Sequence, residues 1–348
     1  SSDLLAPEKS VVSLSIDPAR GMIKNSGTLI FNRSDSSIIS QSMQYTVVSP
    51  AVSSTGLMKI MAGTWQLNAD NLLSPKSVVE IAGAATLDIQ SYSNSVGGLT
   101  GSGTVTSSVA TGTLTFANGS NTRNEFSGQI SGPMRVVMNG LGTQALSGVN
   151  SYSGTSPPLY PSTTINAGTL AFTDTAKIYN NNAGIMAVIT ANAGSVLDLK
   201  SWDWAANLGH LVYDASNIVI NGGTVRQSGT TANSAAGTNM SSRQFTIGAG
   251  GATFDSATTG VTWTIDRDTR SNYQLAVAGN VTLTGLGNFV FNEWLSGAYS
   301  LTKTGTGTAT VGGTNTYTAG TNINAGTLNV NSSGALGSSG TLSFGGGT

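Results

Sequence analysis

The sequence predicts an all-β coil, a parallel β-solenoid with short loop insertions. Three observations predict it: an octamer used twice, a degenerate turn-and-strand phrase spread along the chain, and a composition poor in charge and rich in glycine. Thr163-Thr164-Ile165-Asn166-Ala167-Gly168-Thr169-Leu170 returns as Thr321-Asn322-Ile323-Asn324-Ala325-Gly326-Thr327-Leu328, with only the second position changed. Self-similarity of this kind marks stacked repeats. Charged residues are 9% of the chain, where a globular domain has about 25%. The 45 glycines among 348 residues, with much Ser, Thr and Asn, favour turns and strands over long helices. Hydrophobic residues at 39%, ordered with period two, supply a core and argue against disorder.

The repeat extends upstream of the octamer. Ser131-Gly132 aligns with Ser296-Gly297, Gly140-Leu141-Gly142-Thr143 with Gly305-Thr306-Gly307-Thr308, and Asn150-Ser151-Tyr152 with Asn315-Thr316-Tyr317. The offset between copies is constant up to the tyrosine and shorter by seven at the octamer. The seven extra residues are Ser156-Pro157-Pro158-Leu159-Tyr160-Pro161-Ser162. Proline has no N–H for a sheet ladder, so this segment reads as a loop inserted in one copy.

Degenerate relatives of the octamer read small-Gly-Thr-apolar-x-apolar. Examples are Ser26-Gly27-Thr28-Leu29, Ala62-Gly63-Thr64-Trp65, Thr111-Gly112-Thr113-Leu114, Gly222-Gly223-Thr224-Val225 and Ser339-Gly340-Thr341-Leu342. Each is a turn followed by a short strand that sends Thr or Asn outward and Leu, Val or Phe inward. Many recur at intervals of roughly 20–30 residues, which suits a repeat coil of two or three strands. An immunoglobulin-like sandwich, with a turn about every 8–12 residues, is the structural alternative.

Residues 1–60 have weaker repeat character and hold Pro7, Pro18, Lys9, Arg20, Lys24 and Arg33. They are expected to cap the first edge of the solenoid, with 61–348 forming the coil and the clearest copies near 130–172 and 295–340. The chain stops just after Gly340-Thr341-Leu342-Ser343-Phe344, which predicts an open β-edge. An open edge invites another chain, so head-to-tail self-association into fibres is an expectation; a truncated end is the plainer one.

The C-terminal copy resembles the passenger-associated transport repeat of bacterial autotransporters. The residues that carry the likeness are Leu301-Thr302-Lys303-Thr304-Gly305-Thr306-Gly307-Thr308, Asn315-Thr316-Tyr317, Ile323-Asn324-Ala325-Gly326-Thr327-Leu328 and Ala335-Leu336-Gly337. The central copy lacks the lysine, with Met138 in its place, and carries the proline insertion. The resemblance implies a right-handed parallel β-helix, exported across a bacterial envelope and either secreted or held at the outer surface. It does not specify what the passenger does; with no catalytic motif in the chain, the role expected is structural or adhesive. The absence of cysteine fits a chain threaded unfolded through a pore. A net charge of −1 gives no basic patch for nucleic acid or anionic lipid, and no apolar run reaches membrane-spanning length. The given residues hold no signal peptide, so the chain is expected to be mature, processed or truncated material.

Two clusters are candidate sites. Trp202, Asp203 and Trp204 sit in the least β-like stretch, near the lone His210. Exposed tryptophans can stack on sugar rings while Asp203 accepts sugar hydroxyls; the plainer reading is a loop packed over the coil. Asp266 and Asp268, with Arg267 and Arg270 between and beyond them, are the densest charge cluster, and Asp255 precedes them by about half a coil. Closely spaced carboxylates could bind calcium or serve as acid and base in a polysaccharide lyase or hydrolase. The plainer reading is a self-neutralising, solvated patch. A single histidine excludes a histidine metal cluster, and Gly248-Ala249-Gly250-Gly251 lacks the lysine and helix of a phosphate loop. No catalytic motif, cofactor or metal site is expected; the partners expected are surface glycans or further copies of the chain.

Overall fold

The computed structural model describes residues 15–17, 22–24, 28–31, 56–152, 161–173, 177–178, 188–200, 218–230, 245–265, 275–292 and 294–348. Among them there is no α-helix; the ordered elements are short strands in parallel sheets. This is the parallel β-helix that the repeats predict. The chain divides into two units, the first mostly Ser1–Thr164 and the second mostly Asn182–Thr348.

In the first unit a coil is three strands and three corners. Val78–Ile81, Ala85–Asp88 and Ser93–Val96 form one coil; Gly98–Gly101, Thr104–Thr106 and Gly112–Phe116 form the next. Arg123–Phe126, Gln129–Gly132 and Met134–Met138 follow. Each strand pairs in parallel with its counterpart one coil away, Val79 with Leu99 and Val105 with Ile130. The alternation then acts in register. Leu87, Val105 and Ile130 stack inward in one column, and Val96, Phe116 and Met138 in another, all essentially inaccessible to solvent. Each such side chain contributes about 1.5–3 kcal/mol by leaving water. Toward the N-terminus Thr28–Phe31 pairs in parallel with Leu57–Ile60, while Ser15–Asp17 and Met22–Lys24 pair antiparallel.

One rung departs from the regular ladder. The Leu99 N–H and C=O bond to the side-chain amide of buried Gln144, 45 residues on, at 2.9 and 3.1 Å. Between the strands Gly98–Gly101 and Arg123–Phe126 only Phe126 pairs, with Gly101. The amide supplies the donor and acceptor that the neighbouring backbone does not, which keeps buried peptide groups satisfied.

The second unit begins with wide coils and ends with narrow ones. Arg226 pairs with Asp255, 29 residues on. Farther along, the Leu295 N–H meets Asn315 in the next coil, only 20 residues on. The wide coils fill their interior with rings. Phe254 lies 5.6 Å from Phe245 and 5.9 Å from Trp263, and Trp263 meets Phe289 edge-on at 4.9 Å. Edge-to-face packing of this kind adds about 0.5–1.5 kcal/mol per pair beyond area burial.

Candidate functional site

The two octamers build the same corner. In each, a strand ends at the shared isoleucine and another begins just after the asparagine-alanine turn. The strands are Pro161–Ile165 and Gly168–Phe172 in the first copy, and Thr321–Ile323 and Thr327–Val330 in the second. Gly168 and Gly326 take φ of 59° and 67°. A Cβ at Gly168 would lie 2.2 Å from the Gly140 oxygen and 2.5 Å from that of Gly142. At Gly326 the corresponding distances are 2.4 Å to Gly305 and 2.6 Å to Gly307. Each octamer corner therefore rests on the Gly-x-Gly corner of the preceding coil, and only glycine fits.

The other repeated residues tie each copy together. Tyr152 and Thr163 share a buried hydroxyl–hydroxyl hydrogen bond of 2.8 Å, and Tyr317 and Thr321 share one of 2.6 Å. The proline insertion therefore leaves this bond in place. The insertion also ends sooner than expected: Pro161 opens a strand, where its missing N–H is tolerated, and Ser162 is fully buried within that strand. Residues 156–160 lie outside the described residues. Buried Asn150 accepts from the Ile130 N–H at 3.0 Å and donates to the Gly148 oxygen at 3.0 Å. Buried Asn315 accepts from the Leu295 N–H at 2.8 Å and donates to Gly312 and Ala335 oxygens at 3.2 and 2.6 Å. The two tyrosine hydroxyls are pushed well above their ordinary range, chiefly by burial, and the threonine bond opposes that shift in both.

The copies differ at Met138 and Lys303. Both side chains point inward and are buried. The Lys303 ammonium donates to the oxygens of Thr304, Gly305 and Ala325 at 2.6, 2.9 and 3.4 Å. Burial holds its pKa below the usual lysine value. With these carbonyl partners the lysine cross-links two successive corners of the coil, which the methionine cannot do.

Of the predicted site residues, Trp202, Asp203, Trp204, Asp266 and Asp268 lie outside the described residues. Asp255 is described. Its carboxylate accepts from Arg226 Nε at 2.7 Å and is 14% exposed. Asp198, Arg226, Asp255 and Thr284 occupy one outward column, each paired with the next across neighbouring strands. Asp255 is thus neutralised by a partner 29 residues earlier, a contact invisible without the coil length. Thr262–Ile265, the strand that precedes Asp266, lies in another sheet from Asp255. Among the described residues no three His, Asp or Glu side chains come together as a metal site.

The outward Thr and Asn ladders are what a parallel coil predicts; which residues share a column follows only from the register. On the Asp255 sheet, Val196, Thr224, Thr253, Thr282, Thr302, Asn322 and Ser343 fall in strict register. All but Thr302 follow the turn glycine of their phrase by one to three positions, so the signal was the phase of the motif.

The architecture and the corner chemistry point to one repeat family, and the comparison with known families agrees. Residues 136–172 and 301–330 match the model of the Passenger-associated-transport-repeat. The chain resembles an autotransporter passenger over a longer span: it is 32% identical over 265 residues to the Adhesin BmaC autotransporter of Brucella suis biovar 1 (strain 1330). That stretch is 73% of this chain and 7% of the adhesin, so the chain spans a small part of its relative's length. No solved structure matches the chain significantly. The buried Asn and Gly of the repeat hold coil to coil and its Tyr and Thr bond around a corner, so the repeat signature describes the scaffold.

Proposed function

We propose that the chain is an adhesive segment of a β-helical passenger displayed outside a bacterial cell or on its outer surface, acting by binding rather than catalysis. The observation that carries this reading is the 32% identity to an autotransporter adhesin, joined to a repeat whose polar signature is consumed internally. What remains outside is a set of ordered Thr, Asn and Ser columns. Residues 1–60 serve in this reading to cap the first coil. Stacking of further copies into fibres belongs to the same reading. Beads coated with the 348-residue chain are expected to adhere to epithelial cell monolayers well above albumin-coated beads; equal retention of the two would overturn the adhesive reading. Negative-stain microscopy addresses fibres separately, since only separate particles at all concentrations would remove self-association. The pairing of Asp255 with Arg226 supports the binding reading over the polysaccharide-cleaving alternative. Asp266→Ala is expected to leave adhesion unchanged, and release of reducing sugar from polysaccharide by the unmodified chain would restore that alternative.

A further inference from the structure

We infer that the outward face of the sheet running from Thr224 to Asn324 is a docking surface for an extended, uncharged polysaccharide chain, lying across the strands with about one sugar per coil. This rests on the adhesive reading and assigns it a face and a ligand class.

The first support is register. Thr224 pairs with Thr253, Thr253 with Thr282, Thr282 with Thr302 and Thr302 with Asn322, in five consecutive strands. The wide and narrow coils differ in length by nine, yet the column is unbroken, because the added length is placed outside this sheet. A second column runs beside it through Arg226, Asp255 and Thr284. Thr304 and Asn324 continue it, their N–H groups donating to Leu283 and Lys303 oxygens at 2.8 and 2.9 Å.

Chemistry and charge narrow the occupant. All of these threonine side chains point outward and are partly exposed. The hydroxyls of Thr224, Thr253, Thr282, Thr284 and Thr302 bond to no other group among the described residues. A hydroxyl both donates and accepts, which is what a sugar hydroxyl needs. The threonine methyl gives the apolar contact that a sugar's C–H face needs. From Thr282 to Asn324 the outward positions are Thr282, Thr284, Thr302, Thr304, Asn322 and Asn324, none ionisable. Farther back, Arg226 and Asp255 neutralise each other. An anionic polymer therefore finds no complementary charge, and a neutral one is not opposed. Dimension agrees as well: coils stack about 4.8 Å apart, close to the length one hexose adds to an extended chain. A ligand of that repeat meets each rung in the same way, and weak contacts then sum along the ladder.

The test titrates the full chain with β-1,4-linked oligosaccharides of glucose, mannose and N-acetylglucosamine, from two to eight residues, by calorimetry, with hexagalacturonate as the anionic control. At least one neutral series is expected to bind with affinity rising up to about five or six sugars and then level. Hexagalacturonate is expected to bind at least about tenfold more weakly, and added salt to leave the neutral series unchanged. The triple variant Thr253→Val, Thr282→Val and Thr302→Val keeps shape and strand preference while removing hydroxyls, and is expected to lose about tenfold or more in affinity. Thr113→Val with Thr115→Val, on a sheet of the first unit, is the control expected to change nothing. No binding by any neutral hexasaccharide would overturn the proposal, as would a triple variant that is folded by circular dichroism and binds like the parent. The bead assay separates the two readings. Triple-variant beads that adhere like the parent refute the ladder and keep the adhesive role; parent beads that fail to adhere while hexasaccharide binds refute the adhesive role and keep the ladder.

Discussion

The two copies of the repeat solve one corner with different side chains at one position, and that contrast separates what the corner requires from what it tolerates. Glycine, asparagine, tyrosine and threonine play the same parts in both. Gly168 and Gly326 each rest on two carbonyls, Asn150 and Asn315 each satisfy a buried N–H, and Tyr152 and Tyr317 each bond the first threonine of the octamer. Met138 and Lys303 share only burial. The common part is therefore the satisfaction of backbone groups at the turn, and the inward residue before it has only to fill space.

The glycines should give the largest effect and the most similar one. Gly168→Val and Gly326→Val each force a β-branched residue to positive φ, costing about 1–3 kcal/mol, and push Cβ into a carbonyl below contact distance. Each is expected to cost about 3 kcal/mol or more, read as lost hydrogen-exchange protection in the coils around the substituted corner. Protection kept in one copy but lost in the other would break the equivalence.

Asparagine should sharpen the comparison, because the copies are unequal there. Asn150→Ala strands the Ile130 N–H and one carbonyl; Asn315→Ala strands the Leu295 N–H and two carbonyls. Unsatisfied buried groups cost about 1–3 kcal/mol each, N–H groups most. Denaturant melts are expected to show a loss of about 2 kcal/mol for Asn150→Ala and more for Asn315→Ala. The opposite order would mean that the Ala335 contact carries nothing.

Lys303→Met makes the second copy like the first and should cost only about 1 kcal/mol at neutral pH, the ammonium's bonds being offset by its desolvation. Its signature is in pH. The folded pKa of Lys303 is below the unfolded value, so at low pH both states are charged and the burial cost is fully present. As pH rises from the folded pKa toward 10.5, the folded state gives up its proton first and the parent gains stability. The variant lacks that gain, so the gap between parent and Lys303→Met should widen with alkaline pH. A gap that stays constant would place the ammonium in a solvated setting.

Much of this was legible in the sequence, for a physical reason: period-two alternation and turn glycines are local, and the octamer by itself marks the corner. Lys303 was readable too, since it shares parity with Leu301 and so faces inward. What was not legible depends on coil length. Arg226 and Asp255 stand 29 residues apart and Leu295 and Asn315 stand 20 apart, yet each pair bonds across successive coils. A sequence gives parity within a strand but not the step between coils, so the ion pair of Asp255 with Arg226 had no local signal. The Gln144 bond to Leu99 crosses two coils and had no local signal at all.

The smallest effect should fall on the tyrosines, and it tests equivalence most finely. Tyr152→Phe and Tyr317→Phe each remove one hydroxyl while keeping a fully buried ring. The threonine left behind can turn its own hydroxyl toward a nearby carbonyl, so the loss should approach the net value of one hydrogen bond, about 1 kcal/mol. Both tyrosines have folded pKa values raised by burial. Their neutral forms therefore support folding fully below pH 10.0, and that support is lost as pH rises above it. Each phenylalanine variant should thus be weaker than the parent at neutral pH and more resistant to alkali. Since the parent bond forms both with the proline insertion and without it, the two variants should shift their alkaline midpoints alike. A shift in Tyr317→Phe alone would show that the proline insertion loosens the first corner even though the bond is formed.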